Sequence, residues 1–349
     1  MVRRVLTLVL LSSVVAGAAD FKGRARLWVG SGVDTNAKRE FVSRDVRPAS
    51  DFFLFGLGQL DGVLTFAERF RVLGAYDVAG RKFLGFPSED TLVQSAQLEG
   101  SVTFLQRFAF GVTGRARDRR GAERDYTDLQ GGALLDFFPD PAVDVRVTLS
   151  AHRFLFYNRF AYSWWGPDGA LSARYRFDRR HSLSAFGSFN PRTYNANART
   201  RPGPEGTDTD TGVPRTDAVF GAGLSYAYRG PFHFSFGYSY FDQTSNSFGE
   251  SVKRHRLSAT GGFMLPWKLT LLASLTWQPS LFPDGVYLNP DLTVVEDDEN
   301  VSSATLKLVR PLNTWLELDV RYAGYLGFYP QNDFLYLRHV VSIGLAASY

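Results

Sequence analysis

Residues 231–241 read PFHFSFGYSYF. Every second position is aromatic: Phe232, Phe234, Phe236, Tyr238 and Tyr240. Between them stand His233, Ser235, Gly237 and Ser239. A period of two is the period of a β-strand, so one face is wholly aromatic and the other small and polar. A water-soluble sheet can carry such a face only under a second apolar layer. What covers it decides the fold.

The pattern recurs along the chain. In FGAGLSYAY (220–228), Phe220, Ala222, Leu224, Tyr226 and Tyr228 oppose Gly221, Gly223, Ser225 and Ala227. In KLTLLASLTW (268–277), Leu269, Leu271, Ala273, Leu275 and Trp277 share a face. AVDVRVTLSAHRF (142–154) sets Val143, Val145, Val147 and Leu149 against Asp144, Arg146, Thr148, Ser150 and His152, and ALSARYRF (170–177) sets Leu171, Ala173, Tyr175 and Phe177 against Ser172, Arg174 and Arg176. One face is apolar with aromatic ends, and the other mixes charge with small residues.

Connections alternate in length. Short turns are predicted near Ala67–Arg69, Leu105–Arg107, Phe138–Ala142, Asp178–His181, Arg229–Pro231, Leu265–Lys268 and Arg310–Asn313. Long polar loops are predicted near 31–50, 78–90, 118–126, 157–168, 190–216, 242–254, 278–300 and 325–333, where turn formers and charge collect. The count gives about 16 strands, an even number with both chain ends on the short-turn side. The hairpins LTFAERF (64–70) and VTFLQRF (102–108) share one shape, a tight turn ending in Arg and then Phe.

These are the marks of a closed antiparallel transmembrane β-barrel, with short periplasmic turns and long extracellular loops. Lipid is then the layer that accepts Phe232, Phe234 and Phe236, and Tyr238 and Tyr240 approach the interface, where a ring is dry and its hydroxyl wet. Closure satisfies every backbone donor and acceptor, as a bilayer demands. The competing fold, a secreted β-sandwich, predicts large polar side chains on the outer faces and no rule for loop length.

Composition agrees. Apolar residues make up 44% and aromatics 15% of 349, yet the mean hydropathy is −0.15, too low for a helical membrane protein. With no cysteine, neither a disulfide framework nor a thiolate site is available. MVRRVLTLVLLSSVVAGAAD opens the chain with a basic pair, Arg3 and Arg4, an apolar run from Val5 to Val15, and small residues Ala16 and Ala18 at the −3 and −1 positions of a cleavage site. This predicts a secretory signal over 1–18 and a single barrel domain over 19–349. Loss of Arg3 and Arg4 lowers the formal excess of +4 to about +2, which gives no reason to invoke nucleic acid.

The chain ends HVVSIGLAASY, with Val341, Ile343, Leu345, Ala347 and Tyr349 on one face. This resembles the terminal strand of bacterial outer-membrane proteins, with Tyr349 where Phe is usual and Ala347 where a second aromatic often stands. With the leader and the strand count, the chain resembles outer-membrane porins. The resemblance implies an integral outer-membrane location, contact with lipid and lipopolysaccharide, and recognition of Val341, Ile343, Leu345 and Tyr349 by the barrel-assembly machinery. It names no solute.

With apolar faces outward, the opposite faces line the lumen. The inward basic set is Lys22, Arg24, Arg26, Arg71, Arg115, Arg117, Arg146, Arg174, Arg176, Arg256, Lys307, Arg321 and Arg338. The smaller acidic set is Asp61, Glu99, Asp128, Asp136, Asp144, Glu317 and Asp319. An arginine-rich lining favours anions. The selectivity residues expected are Arg115, Arg117, Arg146, Arg174, Arg176, Arg321 and Arg338, with Asp144 and Asp319, and the first five are expected to cluster on one wall. The same residues can instead form internal salt bridges that rigidify the barrel.

The reading is therefore a passive pore for hydrophilic, anionic solutes. Two rivals stand beside it: a structural barrel anchoring an envelope complex, and a barrel exporting acidic polysaccharide. For the last, Tyr157, Phe160, Tyr162, Trp164 and Trp165 in YNRFAYSWWGPD offer sugar-stacking faces or, more simply, an interfacial girdle. No enzyme is expected. The histidines are His152, His181, His233, His255 and His339; only His152, near Ser150 and Arg153, is inward and close to the outer end. No cofactor or metal site is expected: Asp208, Asp210 and the run Glu296, Asp297, Asp298, Glu299 lack ligand spacing and read as solvated loops. The oligomeric state is left open.

Overall fold

The computed structural model describes residues 19–42, 47–67, 69–121, 124–201, 209–284, 301–329 and 334–349. The expected leader, 1–18, lies outside them. The described strands are β1 (Ala19–Asp34), β2 (Asp51–Phe66), β3 (Phe70–Phe83), β4 (Thr91–Phe104), β5 (Phe108–Arg120), β6 (Tyr126–Asp140), β7 (Val143–Phe156) and β8 (Trp164–Arg176). They continue as β9 (His181–Arg199), β10 (Asp210–Arg229), β11 (His233–Ser245), β12 (Val252–Leu265), β13 (Leu269–Trp277), β14 (Ser302–Pro311), β15 (Leu316–Tyr329) and β16 (Phe334–Ser348). β13 breaks at Gln278–Pro279 and resumes over Ser280–Leu281 against the same neighbour, β12. Proline has no N–H for the ladder, which accounts for the break.

Each strand runs antiparallel to the next, and β16 pairs with β1, so the sheet closes as a barrel of 16 strands. At the seam Val33 faces Val341 and Leu27 faces Ala347. The Ala25 N–H donates to the Tyr349 carbonyl and the Tyr349 N–H to the Ala25 carbonyl, both at 2.9 Å.

The opening stretch lies on β11 and the turn before it. Phe232, Phe234, Phe236 and Tyr238 stand exposed on the outer surface beside Phe220 and Leu224 of β10. Behind them the inner face needs room. A Cβ on Gly221 would come within 3.0 Å of Phe241, and one on Gly223 within 2.4 Å of Phe186, so glycine lets these inward rings pack on the wall. The outward apolar belt continues around the barrel with Leu149, Leu171, Leu275, Leu306 and Ile343.

The two look-alike hairpins are alike in structure. Each joins its strands through a three-residue turn closed by a phenylalanine pair, Phe66–Phe70 with ring centroids 4.9 Å apart and Phe104–Phe108 at 5.6 Å. Short and long connections alternate along the chain, except that the last outer connection, 330–333, is no longer than the turn 312–315 before it, because the strand expected to end near 325 runs to Tyr329. The outer boundaries need correction. The expected loop 190–216 is mostly ladder, with β9 reaching Arg199 and β10 starting at Asp210, and 157–168 gives way to β8 at Trp164. Beyond Asn190 both faces of β9 and β10 are polar because the hairpin projects past the apolar belt, and polarity alone reads as loop; in 157–168 the Trp-Trp pair and the Gly-Pro that follows hide the start of β8.

One outer connection turns inward. Ala37, between β1 and β2, is buried against Phe53, Phe83, Ala323 and Val340. The buried Asn36 amide donates to the carbonyls of Glu40 and Leu337, at 2.7 and 3.1 Å.

Leu105 and Gln106 both hold positive φ, 51° and 56°, a conformation that costs a side-chain-bearing residue about 1–2 kcal/mol. Gln106→Gly is expected to raise stability by about 1 kcal/mol, read as a higher urea midpoint of the barrel in micelles. An unchanged or lower midpoint contradicts it.

Candidate functional site

Residues paired across neighbouring strands point to the same side, so the register assigns every side chain to lipid or lumen. All the expected selectivity residues fall on the lumen side. Arg115 and Arg117 lie on β5, Asp144 and Arg146 on β7, Arg174 and Arg176 on β8, Asp319 and Arg321 on β15, and Arg338 on β16. The first five arginines lie on neighbouring strands of one wall, as the reading required.

Most are already paired. The Arg115 guanidinium donates to Asp128 at 3.0 Å, and the ring of His152 meets the other oxygen of that carboxylate. Arg146 donates to Asp136 at 2.6 and 2.9 Å and to Glu99 at 3.1 and 3.2 Å. Arg176 pairs with Asp144. On the opposite wall Arg24 meets Asp61, Arg26 meets Glu317, and Lys307 lies 3.4 Å from the buried Asp319. These are the cross-strand salt bridges the sequence allowed as an alternative to a selectivity filter.

Four inward arginines differ. Among the described residues, Arg71, Arg174, Arg256 and Arg321 have no carboxylate within ion-pair distance; Arg174 makes only a 3.4 Å contact to the Ser184 hydroxyl. Arg71 and Arg174 border, with Arg146, a recess of about 480 Å³ on the short-turn half of the lumen. Among the described residues, Asp51, Asp77 and Asp168 are inward carboxylates with no cation at ion-pair distance, and Asp51 accepts from the backbone N–H groups of Gly85 and Phe86. Asp77 accepts from Gln59 and Ser95, and Asp168 from Gln130. The balance of unpaired charge is positive.

The outer half of the lumen carries groups the sequence reading passed over. The inturned β1–β2 connection brings Arg39 to a cavity of about 280 Å³ shared with Trp28, Phe53, Arg81, Arg119 and Arg321. Arg81 stacks over Phe53 at 4.6 Å, and Lys307 over Trp28 at 4.6 Å. Across the lumen Arg192 covers Trp164 at 4.4 Å and Arg215 covers Tyr194 at 4.0 Å. Arg81, Arg192 and Arg215 fell within or beside segments read as loop. Strand parity extended through FLFG and NPRTY would have turned Phe53, Phe55, Arg192 and Tyr194 inward. Asp34 anchors this region. It is fully buried, bound by the equally buried Arg338 at 3.0 Å, with Arg81 3.7 Å away.

The aromatics of 157–168 do not form one platform. Trp164 faces the lumen, Trp165 faces lipid, and Tyr157 lies under Arg120 at the outer rim, 4.3 Å from ring to guanidinium. Tyr162, in the same connection, has its phenol raised above the ordinary range by burial. His152 packs edge-on to Trp164 with centroids 4.5 Å apart, and the Ser150 hydroxyl engages Gln130 and Asp168, not His152. His255 and His339 face outward against Tyr238 and Tyr322. Among the described residues no three acidic, His or Cys side chains group as metal ligands. Asp210 caps the Gly212 N–H; Asp208 and Glu296, Asp297, Asp298 and Glu299 lie outside the described residues.

The fold is that of solved outer-membrane barrels. A loop-deletion form of OmpT, an outer membrane protein of Vibrio cholerae, superposes with TM-score 0.50 at 10% identity, over 95% of this chain and 100% of that one. A bacterial polysaccharide outer membrane secretin gives 0.47 at 10% identity, over 94% and 98%. A mutant Rh. blastica porin gives 0.40 at 8%, over 95% and 100%. No family model and no curated protein matches the chain. The closed barrel with its outward apolar belt is the fold of integral outer-membrane proteins.

Removing one partner of a buried ion pair strands the other, at about 3–5 kcal/mol. Asp34→Asn is therefore expected to lower barrel stability by that amount in urea titration. It is also expected to expose the β1–β2 connection to added protease. Loss of neither contradicts the anchoring role.

Proposed function

We propose that the barrel is a passive, water-filled pore for hydrophilic anions. One observation carries the reading: among the described residues Arg71, Arg174, Arg256 and Arg321 stand on the lumen wall with no carboxylate within ion-pair distance, while most inward carboxylates are paired with cations. About 16 strands give a lumen wide enough for water. A free guanidinium in a confined aqueous path concentrates anions, and its planar fork matches carboxylate and phosphate. Arg115, Arg146 and Arg176 hold the wall rigid, so the selectivity bet shifts toward Arg174 and Arg321. No covalent chemistry is invoked. His152 serves to hold Asp128. Val341, Ile343, Leu345 and Tyr349, outward at the seam, are available to an assembly machine as the terminal strand is added.

Passage of acidic polysaccharide is favoured by one further feature, the Trp164–Arg192 and Tyr194–Arg215 pairs on the lumen wall. There a sugar ring and its carboxylate would find both partners.

The refolded protein in planar bilayers is expected to conduct in stable steps, with a salt-gradient reversal potential on the anion side. Replacing Arg71, Arg174, Arg256 and Arg321 by Gln is expected to lower the anion-to-cation permeability ratio at least about twofold, with heat-modifiable migration unchanged. A folded barrel that does not conduct, or one that favours cations, overturns the proposal. Block by an acidic oligosaccharide and not by its neutral counterpart would support the polysaccharide reading.

A further inference from the structure

The outer surface carries a charge that the pore does not use. β7 alternates without exception through AVDVRVTLSAHRF, so His152 points into the lumen and Arg153 points into lipid. Its cross-strand neighbours are Leu129 of β6 and Trp165 of β8, both exposed apolar side chains. Arg153 is itself exposed and has no carboxylate within ion-pair distance among the described residues. The nearby acidic side chain on this face, Asp118, is held by Arg120 through two hydrogen bonds of 3.0 and 2.8 Å.

Depth fixes what Arg153 meets. Val143, Val145, Val147, Leu149 and Ala151 form the apolar outward row below it. That row spans about 9 residues, the length with which a tilted strand crosses the hydrocarbon core. Arg153 therefore stands at the outer edge of the core, at the level of the lipid headgroups. An arginine here extends its guanidinium to the phosphate plane and stays charged.

Beneath it the surface is hollow. A groove of about 690 Å³ runs over Gly114, Gly131 and Ala151 between Leu98 and Trp165, with Arg153 on its border. The glycines make the hollow. A Cβ on Gly114 or Gly131 would meet nothing closer than a backbone oxygen at 4.0 or 3.9 Å, and one on Gly100 nothing within 4 Å. A dry furrow that ends at a guanidinium without a carboxylate is complementary in charge and shape to an acyl chain bearing a phosphate.

We propose that this groove is a specific site for an anionic, phosphate-bearing lipid of the outer leaflet. Arg153 grips the phosphate in two-point fashion, Trp165 flanks the headgroup, and one acyl chain lies over Gly131 and Gly114 against Leu98. The site lies on the lipid side of the wall whose inner face carries Arg115 and His152, and it does not depend on whether the pore conducts.

The test is native mass spectrometry of the folded barrel released from mixed micelles of dimyristoyl phosphatidylglycerol and dimyristoyl phosphatidylcholine. The wild type is expected to retain one phosphatidylglycerol in preference to phosphatidylcholine. Arg153→Gln should reduce that retention about fivefold, the effect of one surface cation. Gly131→Leu, whose Cβ would meet nothing closer than a backbone oxygen at 3.9 Å and whose side chain would occupy the furrow, should reduce it with Arg153 intact. Lys82→Gln, which removes an exposed charge elsewhere on the rim, should leave it unchanged, and heat-modifiable migration confirms that each variant is folded. Equal retention by Arg153→Gln, or retention unaffected in Gly131→Leu, overturns the site. So does release by millimolar inorganic phosphate with Gly131→Leu still binding, which would assign Arg153 to free phosphate.

Discussion

A strand in hydrocarbon has no water to satisfy its backbone, and every other feature of this chain follows from that lack. Each N–H and C=O must find another strand, and the last strand must find the first. The reciprocal Ala25–Tyr349 bonds and the β1–β16 register complete the ring. Once the ring closes, side-chain parity separates two solvents across one sheet. Phe234 and Phe236 meet lipid, and Ser235 and Gly237 meet the lumen. The glycines on the inner face of β10 admit Phe186 and Phe241 where a larger residue would collide.

The lumen then divides its charges by task. A cation beside a carboxylate on another strand cross-links the wall, as Arg146 of β7 does with Asp136 of β6 and Glu99 of β4. Exposed pairs of this kind add little net stability, and their cross-strand geometry fixes register more than it adds energy. The pair that matters energetically is buried. Arg338 and Asp34 are both fully enclosed, and they tie β16 to the point where the β1–β2 connection turns inward. That connection buries Ala37 and brings Arg39 to the lumen cavity beside Phe53 and Arg81. Among the described residues Arg71, Arg174, Arg256 and Arg321 are left without a carboxylate at ion-pair distance.

Period-two alternation made the barrel legible from sequence, because a strand that separates lipid from water must alternate. The facing of Val143–His152 on β7 and Leu171–Arg176 on β8 follows from it, with Arg146, Arg174 and Arg176 inward, although β8 begins at Trp164, inside the expected loop 157–168. The terminal strand is read as well, with Val341, Ile343 and Leu345 outward. Legibility fails where the strands leave the bilayer. In β9 and β10 beyond Asn190, both faces meet water, the alternation fades, and Arg192, Tyr194 and Arg215 disappear into an apparent loop. It fails again for the inward turn of the β1–β2 connection, whose burial rests on Phe53, Phe83, Ala323 and Val340, residues contributed by strands distant in sequence. Pairing is the third gap. Sequence shows that Arg115 and Arg174 face inward, but only the side-chain geometry shows that Arg115 bonds Asp128 and that Asp144, cross-strand from Arg174, pairs with Arg176 instead.

The dipeptide His152–Arg153 shows why a charge count along this chain cannot stand for function. The two residues are neighbours in sequence and lie on opposite sides of the wall. His152 joins Arg115 at the Asp128 carboxylate and belongs to the network that stiffens the lumen. Arg153 faces the membrane, with no carboxylate at ion-pair distance among the described residues. A bulge of one residue in β7 would exchange them. It would put a second guanidinium beside Asp128 and an imidazole against lipid. It would also turn Leu149 into the lumen and Ser150 into hydrocarbon, and the cost of that reversal along the whole apolar row is what holds the register. Charge at the pore and charge at the lipid surface are thus set by one hydrophobic alternation, and neither can be altered by a shift in pairing without destroying the belt.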